Sequence, residues 1–361
     1  MARLRRARTL QAYWKDGDLV VENFVTRVAV TAAPITLQIL TFFADWQPRS
    51  ALAPLLPQYT RTSISRALRQ LVDHSLLVEE GTAAARLDAQ VQQVWADWLP
   101  HGAFHFATKD APFASPKQWA RMARGFKKVA PQPPLVKTYP GKPRSVLPPP
   151  ERESDEFLRV LLARKTHREY SGKTLPLDRL STLLRYTWGA MGTIEAPNFG
   201  PLLQKTSPSG GARHPAECYV VINDVEGLRP GLYHYNHVDH VLERLKSGTM
   251  RKAVLAQTLG QEHVGAANAV CFMTAVFPRS MYKYRAPRAY RIVSLETGHL
   301  AQTFCLIATW LGLAPFATAA IADTAIERAI GIDGVNESVL YVVGVGMPIE
   351  ATAPSNARRR R

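Results

Sequence analysis

A proline-rich stretch divides this chain into two parts. Residues 131–150 contain eight prolines, and proline neither continues a helix nor donates a hydrogen bond within a central strand. Such a composition favours an extended spacer. Because 361 residues are more than one small core usually accommodates, the sequence predicts an N-terminal domain at residues 1–130, a linker at residues 131–150 and a second domain at residues 151–361.

The N-terminal part has the element order of a winged helix–turn–helix. The apolar spacing predicts a strand, three helices and a small hairpin, or wing, at residues 19–29, 35–46, 50–56, 60–77 and from 78 onward. Thr60 is expected to cap the third helix, whose polar side carries Arg61, Arg66 and Arg69. Taken alone, this element order and these arginines favour DNA binding, although the same small fold can hold a peptide. Two further helices are predicted at residues 88–99 and 116–129.

Charge, cysteine content and the length of the apolar runs limit which partners, redox state and membrane topology are expected. The net charge is +16, with arginines close to both ends. Such basic ends bind nucleic acid or an acidic peptide, or remain solvated. The cysteines Cys218, Cys271 and Cys305 lie far apart in apolar segments, which predicts buried free thiols in a reducing cytoplasm. The apolar runs have only strand length, so no membrane span is expected.

The second part mixes strands with helices. Apolar runs predict strands at residues 218–222, 231–235, 241–245, 269–277 and 338–346. Amphipathic spacing predicts helices at residues 151–164, 178–186, 250–259, 288–313 and 323–330.

Two short motifs in this part suggest a bound anion or a flat ligand. The first, RKTHREYSG, places Arg164, Lys165, Thr166 and Arg168 within five residues, a set that suits a phosphate but also suits a solvated helix end. The second, residues 206–211, reads TSPSGG. Its adjacent glycines allow close approach to the backbone and present bare N–H groups; the alternative is an ordinary loop before a strand.

A third candidate site lies at the entrance of the helix predicted at residues 288–313. Lys283 and Tyr284 are flanked there by Arg285, Arg288 and Arg291. Neighbouring cations and partial burial favour the neutral form of a lysine, so Lys283 can take a proton with Tyr284 as relay or partner. The alternative is a surface lysine and tyrosine beside a helix start.

The histidines at 234, 237 and 240 do not predict a metal site. They lie in the segment HYNHVDH, between two predicted strands, where alternating polar residues form such clusters easily. No cysteine or carboxylate completes a set at recognisable spacing. We therefore predict no metal.

Taken together, these blocks resemble the flavin-dependent nitroreductase fold, and more narrowly its azoline-dehydrogenase branch, called SagB-type. The resemblance covers residues 151–348. Five blocks in the same order carry it: RKTHREY, SPSGGARHPAECYVV, GLYHYN with the following LERL, KYRAPRAYRIVSLETGHLAQ and YVVGVG. It implies an α+β fold in which helices flank a mostly antiparallel sheet, preceded here by the small winged-helix-like domain.

The resemblance implies FMN as cofactor and assigns roles to particular residues. Gln302 would lie near the flavin, and Arg358 would reach its phosphate. The phosphate and ribityl end would be held by Arg164, Lys165, Thr166 and Arg168. The ring would lie against Ser207, Pro208, Ser209, Gly210 and Gly211. The segment APFATAAIAD after the long helix lacks the glycine-rich turn that family members often have, which leaves flavin contacts from that loop unassigned.

The implied reaction is the oxidation of azoline rings in a ribosomally made peptide to thiazole or oxazole, with Lys283 and Tyr284 as the catalytic pair. Family resemblance further implies a homodimer, a precursor peptide as substrate and a cyclase as partner enzyme, with residues 1–130 binding a leader peptide or that partner rather than DNA. The alternatives are a flavin oxidase acting on a small molecule or on a peptide Cα–Cβ bond, and a flavin-sensing regulator that binds DNA through residues 34–81.

Overall fold

The computed structural model describes residues 3–112, 156–196 and 200–349, together with a few positions between 114 and 147. Most of the predicted linker, most of the predicted helix 116–129, and Arg358 lie outside the described residues. The helices of the described part are all too short or too polar to cross a membrane.

The second part is built on a six-stranded antiparallel sheet. Its strands are β9 (Ala216–Ile222), β10 (Gly231–Asn236), β11 (Val241–Ser247), β12 (Ala269–Val276), β13 (Ala314–Thr318) and β14 (Glu337–Gly346). Their spatial order is β11-β10-β9-β12-β14-β13. In the central register, Cys271 lies opposite Val220 on one side and Val343 on the other.

Helices cover both faces of this sheet. Side chains along a strand alternate between the two faces, and here both faces carry apolar side chains that the helices bury. Thus Val220 and Ile222 belong to one core cluster, while Val221 belongs to the other. The helices of this part are α5 (Glu156–Ala163), α6 (Leu177–Trp188), α7 (Arg251–Gln257), α8 (Glu262–Ala266), α9 (Phe277–Met281), α10 (Ala289–Trp310) and α11 (Asp323–Ile330). The first face packs on α6 and α10, and the second on α7, α8 and α11. The predicted fold class is confirmed.

The predicted strands of this part are all present, with bounds that differ by at most two residues. Three strands were not predicted: β13 at the sheet edge, and the hairpin of β7 (Gly192–Ala196) and β8 (Gly200–Gln204). The polar and glycine residues of that hairpin obscure its strand pattern.

The N-terminal part has its own core around helices α1 (Pro34–Phe42) and α2 (Arg61–Asp73), with a 3-10 helix at Arg49–Leu55 between them. The predicted cap is confirmed, since the Thr60 hydroxyl accepts a hydrogen bond from the N–H of Ser63 at 3.1 Å. Ile64 and Leu68 on α2 are buried, as their spacing predicted.

The predicted hairpin after Val78 is wrong. The strand β6 (Leu77–Glu79) pairs instead with β1 (Arg3–Arg6), at the start of the chain. Thr82 then caps α3 (Ala83–Trp95), which leaves no second wing strand. β1 also pairs with β5 (Gln47–Pro48), so a three-stranded sheet takes the place of the wing.

Two other N-terminal predictions need correction. The strand predicted at residues 19–29 is two strands, β3 (Asp18–Asn23) and β4 (Val28–Thr31), which pair beside β2 (Leu10–Lys15). The turn between them includes Arg27 with a φ of 60°. The helix predicted at 88–99 begins earlier, as α3, and is followed by α4 (Leu99–Thr108).

An aromatic cluster joins the two parts. Trp95 and Trp98 are fully buried and pack with Phe277 and Tyr290 from the second part. The Trp95 indole N–H donates to the carbonyl of Val335 at 3.0 Å. The Trp98 indole N–H donates to the carbonyl of Tyr284 at 2.9 Å. The N-terminal part therefore supports the segment that carries the predicted catalytic pair.

Candidate active site

The TSPSGG segment, residues 206–211, is called the glycine motif here. It lies along α10, and its residues contact successive turns of that helix. The four pairs are Ser207–Thr303, Pro208–His299, Ser209–Glu296 and Gly210–Ile292. The Ser207 and Thr303 hydroxyl oxygens are 2.7 Å apart. A Cβ on Gly210 would lie 2.6 Å from the Cγ2 methyl of Ile292, so any larger residue here would force the loop or Ile292 to shift. The predicted ring-facing motif is thus held at a defined position on the longest helix.

Lys283 and Tyr284 come to the same motif from the turn between α9 and α10. A Cβ on Gly211 would lie 2.5 Å from the Tyr284 hydroxyl oxygen and 2.6 Å from Lys283 Nζ. The φ of Gly211 is +61°, which also disfavours any other residue. Lys283 Nζ is 5.6 Å from the centre of the Tyr284 ring. The structure therefore brings the predicted catalytic pair against the predicted ring-facing motif.

The phosphate-binding candidates form a separate group. Their segment is anchored by the His167 N–H, which donates to Pro315 O at 2.9 Å, and by Tyr170, which packs on Gly346. Lys165, Thr166 and Arg168 are exposed, and Arg164 is half-buried. Among the described residues, no hydrogen bond or ion pair joins residues 164–168 to the glycine motif. We call these two groups, residues 164–168 and the motif at residues 206–211, the two half-sites.

The residues implied to hold the FMN phosphate suit that group chemically. Three cations and a hydroxyl lie on one exposed segment, and a phosphate monoester is a dianion with many acceptor oxygens. Arg164 lies close enough to α10 that its charge opposes the effect of burial on Cys305, whose pKa burial raises to about 11. Gln302 is exposed on α10, next to the Thr303 that bonds Ser207.

An ion network that the sequence did not reveal lies beside the motif, around the buried carboxylate of Glu217. Arg279 on α9 pairs with Glu217 on β9 and donates to the carbonyl of His214 at 3.0 Å. Arg213 Nε donates to the carbonyl of Arg279 at 3.0 Å. The network joins the residues directly after the glycine motif to α9, the helix directly before Lys283, so it sets the relative position of those two segments.

His234 completes this network. Its Nε2 is 2.8 Å from Glu217 and its Nδ1 is 2.8 Å from Glu243. Burial alone would raise the pKa of Glu217, but the hydrogen bond from His234 and the charge of Arg279 lower it to about 2. In turn, the hydrogen bond to Glu217 raises the pKa of His234 to about 8, against the effect of its burial.

The His234→Asn variant tests this network. A raised histidine pKa adds stability that is complete below the unfolded value of about 6.5 and is lost as the pH rises through about 8. We expect the native chain to lose about 1 kcal/mol between pH 6.5 and 8.5 through this residue, after allowance for solvent screening. Urea unfolding across that range should show a flatter profile for His234→Asn. The control is His74→Asn, at the exposed end of α2; an equal flattening there would contradict the assignment.

Two titratable residues beside the motif were also missed, the buried Glu296 and the half-buried Lys205. Glu296 is 3% exposed, and burial raises its pKa to about 7 although a hydrogen bond from Ser209 opposes the shift. Burial lowers the pKa of Lys205 to about 8. Both groups can therefore exchange a proton near neutral pH. One signal was available in the sequence, because Glu296 is the single charged residue between 292 and 309.

The other histidines have structural partners. His240 contacts the Ser181 hydroxyl at 2.9 Å and the Tyr235 hydroxyl at 2.7 Å, and so ties the β10–β11 turn to α6. His237 lies 3.8 Å from Glu217. Within the described ranges, no cluster of three His, Cys, Asp or Glu side chains is arranged to hold a metal ion.

Comparison with known proteins places this site in a family. Residues 161–347, more than half of the chain, match the Nitroreductase family. The trifolitoxin-processing protein TfxB of Rhizobium leguminosarum bv. trifolii is 34% identical over 170 residues, which are 46% of this chain and 46% of TfxB. The chain thus spans about half the length of that relative. MJ1384 of Methanocaldococcus jannaschii, named as a nitroreductase, is 32% identical over 201 residues, 56% of this chain and 96% of MJ1384.

A solved structure shows the same fold over a larger share of the chain. It is the Escherichia coli microcin synthetase McbBCD complex with truncated pro-MccB17 bound, with a TM-score of 0.51 and 19% sequence identity over 73% of this chain and 97% of the matched chain. Together with the family match, this confirms the resemblance to the nitroreductase fold that the five sequence blocks predicted. The chain belongs to the nitroreductase family.

Proposed function

We propose that this chain is an FMN-dependent dehydrogenase that oxidises azoline rings in a ribosomally made peptide to thiazole or oxazole. The observation that carries the proposal is the packing of Lys283 and Tyr284 against Gly211, which puts the candidate base beside the ring-facing motif. The names of two relatives support a peptide substrate, since TfxB is a trifolitoxin-processing protein and McbBCD is a microcin synthetase with a pro-peptide bound.

Azoline oxidation removes a proton from Cα and a hydride from the adjacent ring carbon. The amine of Lys283 takes the Cα proton, and the electrons of that C–H bond form the new ring double bond as the hydride leaves. The Tyr284 hydroxyl orients the amine and relays the proton away. FMN, when bound, supplies the hydride acceptor.

The residues that would hold FMN come from both half-sites. Arg164, Lys165, Thr166 and Arg168 would bind the phosphate. The ring would lie against the motif Ser207, Pro208, Ser209, Gly210 and Gly211, with Gln302 beside it. Glu296 and Lys205 lie beside the motif and would form a pair of groups that can exchange protons near neutral pH.

A homodimer would bring the two half-sites together. The outer side of α10 exposes apolar residues, with Leu295 61% and Ile292 37% exposed. On α5, Phe157 and Leu162 are 68% and 77% exposed. Apolar surface of this kind favours burial against a second copy. The test is complementation: a mixture of Arg164→Ala/Arg168→Ala chains with Lys283→Ala chains should recover activity that neither has alone, and absence of recovery would contradict a shared site.

Because an azoline must be formed before it is oxidised, we also infer a cyclase partner that supplies the cyclised peptide. The decisive measurement is the visible absorption spectrum of the purified chain, with identification of any released chromophore, followed by incubation with an azoline peptide. The proposal predicts released FMN and a product lighter by two hydrogen atoms. A chain that neither contains nor takes up FMN would overturn the assignment.

The Gly211→Ala variant tests the geometry of the catalytic pair. The added methyl group would displace the ends of the Lys283 and Tyr284 side chains, so we expect turnover to fall about tenfold or more. Gly172→Ala is the matched control, because Gly172 has a similar φ of +75° with no atom within 4 Å of the added carbon. An equal loss of turnover in both variants would assign the effect to backbone strain alone.

A further inference from the structure

The N-terminal part contains a groove between its 3-10 helix and α2. The groove has a volume of about 580 Å³. Its lining includes Ala53 and Pro54 from the 3-10 helix, and Ile64 and Leu68 from α2. These side chains form an apolar floor. Because every lining residue comes from a helix or from the connection between the two helices, the groove presents no free strand edge.

Two arginines of α2 stand at the rim of this floor. Arg61 and Arg69 line the groove and are exposed. In the described part of the chain, neither forms an ion pair, whereas Arg49, also on the rim, pairs with Glu79 at 2.8 Å. Arg69 lies eight positions after Arg61 on α2, a rise of about 12 Å. The groove is therefore cationic at two points with an apolar strip between them.

The apolar floor continues past the first groove. Tyr59 and Ile64 also line a second cavity of about 310 Å³, whose other lining residues include Ile39 and Leu71. The combined floor is longer than one turn of a bound helix. A ligand that covers it must present several apolar side chains on one face.

We propose that this groove binds an acidic amphipathic helix of the precursor peptide. With no strand edge available, an extended peptide cannot add to a sheet here, whereas a helix can place its apolar face on the floor. Two carboxylates of that helix, about two turns apart, would then pair with Arg61 and Arg69. This assignment rests on the proposed function, which supplies the peptide.

The groove does not suit duplex DNA as well as a peptide. Phosphates would gain nothing from an apolar floor, and a duplex approaching the polar side of α2 would meet all three of its arginines. Arg66 lies outside both cavities, yet it is as exposed as its neighbours. This residue therefore separates the two possibilities.

The test uses the full-length chain and a fluorescein-labelled probe peptide of about 16 residues. The probe has leucines along one helical face, glutamates beside them and no sequence taken from any natural peptide. Fluorescence anisotropy should show that Arg61→Glu/Arg69→Glu weakens binding about tenfold or more, while Arg66→Glu changes it less than about twofold. Circular dichroism should show that both variants keep their helical content.

Three results would overturn the proposal. The first is an equal loss of binding in Arg66→Glu, and the second is equal binding of a scrambled peptide of the same composition. The third is displacement of the probe by a duplex of about 20 base pairs, which would assign the surface to DNA. FMN content and turnover of a leaderless azoline peptide, measured on the same variants, should stay unchanged. Loss of those two properties in the native chain would contradict the proposed function while leaving the groove result intact.

Discussion

Replacing Lys283 by alanine is expected to lower the turnover of an azoline peptide by about 10²–10⁴-fold, the usual contribution of a positioned general base. The physical reason is that in the proposed mechanism Nζ, which lies against Gly211, is the proton acceptor, and alanine offers none. The flavin content should stay unchanged, because the residues proposed to hold FMN do not include Lys283. The measurement is single-turnover oxidation of the azoline peptide, with the flavin content determined by absorbance on the same sample.

Two further variants make this result specific. Lys283→Arg keeps a positive charge but cannot lose its proton near neutral pH, so it should be as inactive as the alanine variant. Arg285→Ala removes a neighbouring cation that is 70% exposed and pairs with Asp97 at 3.2 Å, and it should stay within about twofold of the native rate. Activity in Lys283→Arg close to the native value would place the base elsewhere.

Replacing Trp95 by alanine is expected to lower the free energy of unfolding by about 3–5 kcal/mol. Trp95 is fully buried and stacks on His105, with ring centres 5.1 Å apart. It also packs on Phe277 at 4.8 Å and donates to Val335 O. The variant leaves a cavity at the junction of the two parts and an unsatisfied carbonyl, and both effects destabilise.

The midpoint of urea unfolding measures this loss. Trp14→Ala is the control, because Trp14 is 75% exposed and its removal should change stability by less than about 0.5 kcal/mol. Since the cluster also supports Tyr284 through Trp98, Trp95→Ala should reduce turnover as well. A variant that keeps native stability would show that the two parts do not depend on this cluster.

Local patterns were sufficient for much of this fold. The strands β9, β12 and β14 are dominated by apolar residues, most of them buried, in a sheet covered on both faces. The helix α11 was predicted with its observed bounds, Asp323–Ile330. Thr60 was predicted as a cap because a hydroxyl before an amphipathic run satisfies an unpaired N–H. Each of these features depends on residues that are close together in the sequence.

The candidate site was predictable in part for a different reason. Gly210 and Gly211 stood out in the sequence as a glycine pair, and Lys283 with Tyr284 stood out as a base candidate at a helix start. The family resemblance assigned both pairs to one site. Their contact, by contrast, joins residues more than 70 positions apart. Glu217 and Arg279 also pair across a long stretch of chain, 62 positions. The sequence did not connect them, because a glutamate in a strand and an arginine in a short helix each look like ordinary surface residues.

The N-terminal error has the same origin. A wing was expected after Val78, because β6 needs a partner and a neighbouring segment is the nearest choice. The backbone groups of β6 are satisfied instead by β1, more than 70 residues earlier. Residue type and spacing therefore determined the helices, the buried strands and the composition of the site. Only the tertiary structure decided which strands pair, which charges meet and where the catalytic candidates lie, since those interactions depend on distances that chain order does not encode.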